Sequence, residues 1–266
     1  MLGDKNRVRA SLDASAPSVG TFLMEFNTLG IGPIAAHAGA DFVFWDLQHT
    51  GWTHSEIAAG LASLRDQETV AGVRVDTPSA DGVSKALDLG AQMVMVPAVP
   101  NAAVAREVVS ATRYPVDPNP GSRAVTFSVA WDGYAPPAHA AEALRNRNEN
   151  VVVFAQIETA EGLRNVREIA AVDGIDVLWV GDGDLAASLG VPGDFSAPAY
   201  TDALRTVADA ARRSGKAAGF TTTSTDVMSE LRDIGYSVFA FGNDIKLFSA
   251  ALTQGVGEFK TRLAAI

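Results

Sequence analysis

The sequence predicts an α/β fold of the (β/α)8 class, a single TIM barrel of eight parallel strands. Three observations carry that expectation. Eight short apolar runs rich in β-branched residues alternate with longer amphipathic stretches. Each run is nearly continuous in apolar character, as strands buried on both faces require. Ionisable residues gather where the runs stop, which is where a barrel of this class opens its site. A length of 266 residues is ordinary for one such barrel, and 47% apolar residues supply one large core. One domain is expected over 1–266, with a long loop about 115–149 and a C-terminal helix about 244–264.

In chain order the strands are expected at 18–26, 40–47, 69–75 and 92–99, then at 150–158, 175–181, 217–222 and 237–242. Between them, 79–90 begins at a capping Ser79 and ends at Gly90, a natural helix-terminating residue. The stretches 160–174 and 224–235 also end on glycine. No Gly-rich phosphate fingerprint follows the first strand, which disfavours the dinucleotide-binding version of an open sheet. The segment between Tyr114 and Asn150 is longer than the ~12–15 residues usual for a connection. It holds Arg123, Trp131, Tyr134 and His139, and is expected either to border a polar pocket or to serve subunit contacts.

Composition excludes several classes. With 21 basic and 31 acidic residues the formal charge is −10, and no Lys/Arg cluster offers a face for nucleic acid. The absence of cysteine rules out thiol catalysis, disulfides and a thiolate-bound metal. No apolar stretch is long enough to cross a membrane, and the first twenty residues lack an apolar signal core, so a cytoplasmic location is expected.

The polar residues at the strand ends are Asp46, Gln48 and His49 after the second, and Arg74 and Asp76 after the third. Gln156 and Glu158 end the fifth, and Asp182 and Asp184 follow the sixth. Glu158 and Asp184 stand on adjacent strands with no cysteine or histidine nearby, an all-oxygen pair suited to Mg2+ or Mn2+, with Co2+ as a substitute. The same residues fit another arrangement: Glu158 in an ion pair with Arg74 or Arg164, and Asp184 capping the next helix. Arg74 similarly fits either a structural pair with Asp46 or a donor to a developing oxyanion. Trp45, Trp52 and Trp179 are expected to pack. None of the five lysines lies on a strand facing the pocket, so an imine mechanism is disfavoured against a metal-dependent one.

The motifs FVFWDLQH, GVRV, KALDLGAQMVMVP, ATRYP, GSR, FAQIET and VGDGDLAASLG resemble, in order and spacing, the HpcH/HpaI family of class II pyruvate aldolases, from about Gly20 to Asp244. The resemblance implies a metal-stabilised enolate mechanism that cleaves or forms 4-hydroxy-2-oxo acids. The products are pyruvate, or an analogue such as hydroxypyruvate, and an aldehyde. It implies Glu158 and Asp184 as metal ligands, with Asp46 holding metal-bound water from behind them. His49 is implied as the catalytic base with Asp88 as its paired carboxylate, and Arg74 as the donor to the enolate. Gln156, Gly181 and Gly183, together with Asp184, are implied to cradle the 2-oxo acid. Arg123 and Asp182 are expected on the acceptor side. A homo-oligomer, a hexamer with its last helix exchanged, is also implied. Three positions depart from the family pattern: Gln48 for Glu, Ala124 for Gly, and Asp182 for Pro. The alternatives are a related C–C lyase acting on acyl-CoA thioesters, which would need a basic nucleotide site, and a non-catalytic metabolite-binding barrel.

Overall fold

The computed structural model describes residues 6–265; residues 1–5 and 266 of the expected domain lie outside them. Eight strands form a closed barrel in sequence order: β1 (Ser18–Leu23), β2 (Phe42–Asp46), β3 (Val70–Arg74), β4 (Met93–Val96), β5 (Val152–Ile157), β6 (Val177–Val180), β7 (Ala217–Thr221) and β8 (Tyr236–Asn243). Every neighbouring pair is parallel, and β8 closes on β1. All eight expected strands are present, each trimmed or shifted by a few residues.

The helices are α1 (Arg7–Asp13), α2 (Ile31–His37), α3 (His54–Ser63), α4 (Ala80–Asp88), α5 (Ala102–Thr112), α6 (Ala140–Asn150), α7 (Ala160–Arg164), α8 (Val166–Ala170), α9 (Asp182–Ser188), α10 (Pro198–Arg213), α11 (Thr225–Asp233) and α12 (Asp244–Ala264). Their starts follow local chemistry. Ser79 caps α4 through Gly82 N at 3.2 Å, and Thr53 and Glu56 form a reciprocal capping box on α3. Gly90, at φ +103°, ends the α4 turn as its sequence position predicts. The helix expected over 160–174 is two short helices. They meet at Asn165, whose side-chain amide donates to Pro100 O at 2.8 Å and anchors the bend.

The barrel interior is filled by Phe22, Phe42, Phe44, Met93, Phe154 and Trp179. Phe44 and Phe154 meet edge to face at 5.0 Å between ring centres, a favoured aromatic geometry. Gly72 makes room for them, since a Cβ there would come within 2.6 Å of Phe44 Cε1. A second apolar layer, including Trp45, Leu178 and Tyr200, joins strands to helices. That layer is incomplete at one place. The outer faces of β1 and β8 leave Val19 and Phe241 about half exposed, at 47% and 48%, and α12 carries Phe248, Leu252, Phe259 and Leu263 largely in the open. Among the described residues no helix is long and apolar enough to cross a membrane.

The long segment after α5 does not border the mouth of the barrel. It begins where α5 ends and finishes where β5 begins, and both points lie at the end from which the strands start. There it folds back on α5, with Ser122 N donating to Ser110 O at 2.8 Å. It builds a small core of its own from Tyr114, Trp131 and Leu144. Tyr134 lies exposed against Arg65, 5.0 Å from its ring centre to the guanidinium carbon.

Candidate active site

The site is built from the strand ends upward. Asp46, the last residue of β2, is fully buried and forms a fork with Arg74, the last residue of β3. Nε reaches Oδ1 and Nη2 reaches Oδ2, each at 2.8 Å. Register makes this pair, because Asp46 and Arg74 stand opposite one another in the β2–β3 ladder. Asp46 also accepts the amides of Gln48 at 2.9 Å and His49 at 3.3 Å, so it shapes the turn that carries the histidine. The remaining arm of Arg74, Nη1, points to Gln156 Oε1 at 3.5 Å, and its guanidinium carbon lies 5.0 Å from the Phe22 ring centre. The structural pairing of Arg74 is therefore present, and it leaves one donor free for another acceptor.

Glu158 follows β5 directly and is buried. Its carboxylate accepts from Gln156 Nε2 and, at 3.5 Å, from Gln48 Nε2. Burial pushes its pKa above the ordinary carboxylate value. The Gln156 hydrogen bond opposes that push, the charge of Asp184 adds to it, and the Ala98 amide and Arg74 work against it. Among the described residues no cation lies within ion-pair distance of Glu158, so the expected alternative of a buried ion pair with Arg74 or Arg164 is absent. Asp184 lies exposed in the first turn of α9, while the cap position belongs to Gly181 and has no side-chain bond. Gly181 closes the gap between them: a Cβ there would meet Glu158 Oε2 and come within 2.8 Å of Glu158 Cβ. Gly183 faces open space. An electron-poor partner suits this donor set, two carboxylates and no nitrogen or sulfur, and a hard divalent cation is the partner such oxygens select.

Two residues were not identified from the sequence as members of the site. Ala98, just past β4, has a left-handed backbone, φ +48°, and its amide is bonded to the Glu158 carboxylate. Nothing in the pattern MVPAV signals that turn. Gln48, noted at the end of the second strand and as a departure from the family pattern but given no role, keeps a buried Oε1 without a partner while its Nε2 faces Glu158. Its place in the DLQH turn was the available signal.

Two of the expected site residues stand apart from the others within the single chain. Asp88 does not reach His49, because it is the last residue of α4, which runs antiparallel to the strands. About 13 Å of helix carries it to the end of the barrel opposite the site. There it accepts from Arg123, at 2.7 Å from Nη2 and 3.3 Å from Nε. Arg123 in turn is buried, with its guanidinium carbon 4.4 Å from the Tyr114 ring centre. Trp45 and Trp179 are buried packing residues, and Trp52 packs partly buried against the same layer.

Residues 19–251 match the family model described as HpcH/HpaI aldolase/citrate lyase. The chain belongs to this family. It is 33% identical over 234 residues, 88% of this chain and 86% of the other, to the 2-keto-3-deoxy-L-rhamnonate aldolase of Escherichia coli K12. The barrel superposes with a TM-score of 0.89 and 30% identity on an HpcH/HpaI aldolase/citrate lyase family protein from Burkholderia cenocepacia J2315, covering 96% of this chain and 100% of that one. An HpcH/HpaI aldolase from Desulfitobacterium hafniense DCB-2 gives 0.88 at 28% identity, over 95% and 96% of the two chains. The protein is thus a carbon–carbon lyase of the class II aldolase type.

Proposed function

We propose that this family member is a divalent-metal-dependent aldolase for 4-hydroxy-2-oxo acids. Cleavage releases pyruvate, or a close analogue such as hydroxypyruvate, and an aldehyde; the reverse direction joins them. The observation that carries the reading is Glu158, a buried carboxylate held above its ordinary pKa, beside Asp184 and without a cation partner among the described residues. An uncompensated carboxylate there costs several kcal/mol, and a bound dication offsets it. Glu158 and Asp184 would hold Mg2+ or Mn2+, with Co2+ as a substitute, and the ion would supply Lewis acidity toward the keto oxygen.

The chain's own residues supply the rest. The Nη1 of Arg74 is free of Asp46 and donates to the oxygen that becomes negative. Gln156 and the amides around Gly181 and Gly183, at the start of α9, bind the 2-oxo acid alongside Asp184. His49, whose turn is fixed by Asp46, takes the proton from the 4-hydroxyl. The C3–C4 bond then breaks, and its electron pair passes into the enolate. The aldehyde departs, and a proton returned at C3 completes the methyl group. The E. coli relative is named for a 2-keto-3-deoxy acid, a substrate of matching pattern.

We further infer a homo-oligomer, with the hexamer as its form. A groove of about 440 Å³ beside β1, lined by Val19, Leu23, Ile34, Phe241 and Phe248, lies where a barrel of this class carries its covering helix. Beyond Phe248, which lines the groove of its own chain, the exposed α12 side chains Leu252, Phe259 and Leu263 are the matching element, supplied by a neighbouring copy.

Pyruvate release from a 4-hydroxy-2-oxo acid, followed before and after chelation, tests the enzymatic reading. Activity should vanish on chelation and return with Mg2+ or Mn2+. An undiminished rate in the metal-free protein sinks it.

A further inference from the structure

Resting on the metal-dependent reading above, we infer that Gln48 is a positioning residue of the metal site: its side-chain amide holds the Glu158 carboxylate in the orientation that takes the dication. The contact that carries this crosses the mouth of the barrel. Gln48 stands in the turn after β2 and Glu158 follows β5, with β3 and β4 between them in the sheet. From there Gln48 Nε2 reaches Glu158 Oε1 at 3.5 Å, while Gln156 Nε2, from β5 itself, takes the other oxygen, Oε2. Each oxygen of the carboxylate thus has an amide side chain on it, and its plane is set from two sides. The backbone of Gln48 is itself anchored, its N–H donating to Asp46 Oδ1 at 2.9 Å.

The contacts close a circuit. Asp46 pairs with Arg74, whose Nη1 points to Gln156 Oε1; Gln156 donates to Glu158, Glu158 accepts from Gln48, and Gln48 returns to Asp46. Its two long links, each 3.5 Å, are those that reach across to the β5 residues, and a filled site draws such links in. One group in the circuit is left over: Gln48 Oε1 is buried and has no donor. A glutamine serving stability alone would have both ends of its amide satisfied, since a buried acceptor left unpaired costs free energy. The unpaired oxygen belongs to the amide that faces Glu158, and a hydrated dication brings water protons, the donors it lacks. The glutamate of the family pattern could not make the same contact. An ionised carboxylate at this position has nothing to donate to Glu158 and would set a like charge against it. The hold on Glu158 is therefore a property of the amide that this chain carries.

The test is Gln48→Met, which keeps the length of the side chain and removes the amide. Mn2+ binding, read from the electron paramagnetic resonance of the free ion, should weaken by about 10- to 100-fold, the usual effect of removing a group that orients a metal ligand. The metal-free variant should melt close to the metal-free parent, because the amide it loses was only half satisfied. Pyruvate release from a 4-hydroxy-2-oxo acid should largely recover once Mn2+ is raised to saturation. Unchanged Mn2+ affinity overturns the inference, and so does a loss of turnover that saturating Mn2+ leaves in place. Weaker binding that comes with a clear fall in metal-free melting makes Gln48 a strut of the fold, which also overturns it. Each of these outcomes leaves the metal-dependent aldolase standing. A parent that binds no Mn2+ overturns the metal reading, and the inference falls with it.

Discussion

Arg74 holds Asp46 through two parallel hydrogen bonds of 2.8 Å at the ends of paired strands, and its third nitrogen points across to Gln156. The fork fixes both the direction of that nitrogen and the turn carrying His49, so one contact positions two groups of the site. Asp46→Ala leaves a largely buried guanidinium unpaired, and we expect a loss of about 3–5 kcal/mol in denaturant unfolding. Arg74→Lys keeps the charge but loses the planar fork. Its folding should be affected less and its turnover more, by about 10²-fold, the effect of removing one oxyanion donor. Equal activity of the lysine variant would remove Arg74 from the chemistry.

Glu158 should behave oppositely in the two states of the site. At neutral pH its ionised form is penalised by burial, so Glu158→Gln removes a cost in the metal-free protein while keeping an acceptor for Gln156. We expect the metal-free variant to melt at or above the metal-free parent. Adding Mg2+ or Mn2+ at about 100 times its dissociation constant should stabilise the parent by about 2.7 kcal/mol and the variant hardly at all. Asp184→Asn, at an exposed position, should lose the metal response with little change in the metal-free melting temperature. A parent whose melting is indifferent to both ions contradicts the assignment of the pair.

The strands were legible because burial on both faces leaves a continuous apolar signature, and the residues ending them were legible because a strand end fixes depth in the barrel. Asp46 and Arg74 meet as their positions suggest. Asp88 and Arg123 stand apart from the strand-end residues within the chain, for a reason that the chain itself contains. Asp88 ends a helix, and Arg123 lies between a helix and the next strand. Both positions belong to the end where strands begin, whereas the site lies where they finish. A motif match across a family does not carry that direction; the alternation of strand and helix does. The strained Ala98 had no sequence signal, because its left-handed backbone occurs at a residue that rarely adopts it.

The 115–149 segment should loosen independently of the barrel. Its small core joins Tyr114, Trp131 and Leu144, and Arg147 donates to Trp131 O from inside it. Trp131→Ala removes the largest of these side chains, at a cost of about 3–5 kcal/mol locally. Hydrogen exchange should rise first across 115–149, with protection of β2, β3 and β6 retained. Simultaneous loss of protection in the strands would mean that the segment is part of the cooperative barrel core.

The final expectation concerns α12. Its apolar side chains face outward along the helix, and the outer faces of β1 and β8 lack a covering helix, so each exposed surface is the complement of the other. Two exposed phenylalanines, Phe248 at 57% and Phe259 at 74%, lie three turns apart, so a charge at each samples both halves of the contact. Burying a glutamate in an apolar groove costs several kcal/mol, more than a single helix contact supplies. Phe248→Glu and Phe259→Glu should each shift sedimentation toward the single chain, and together abolish assembly. The circular dichroism of the barrel should be retained, because neither side chain belongs to its core. A parent that already sediments as a single chain would show that α12 is not exchanged. Its apolar face would then need another partner.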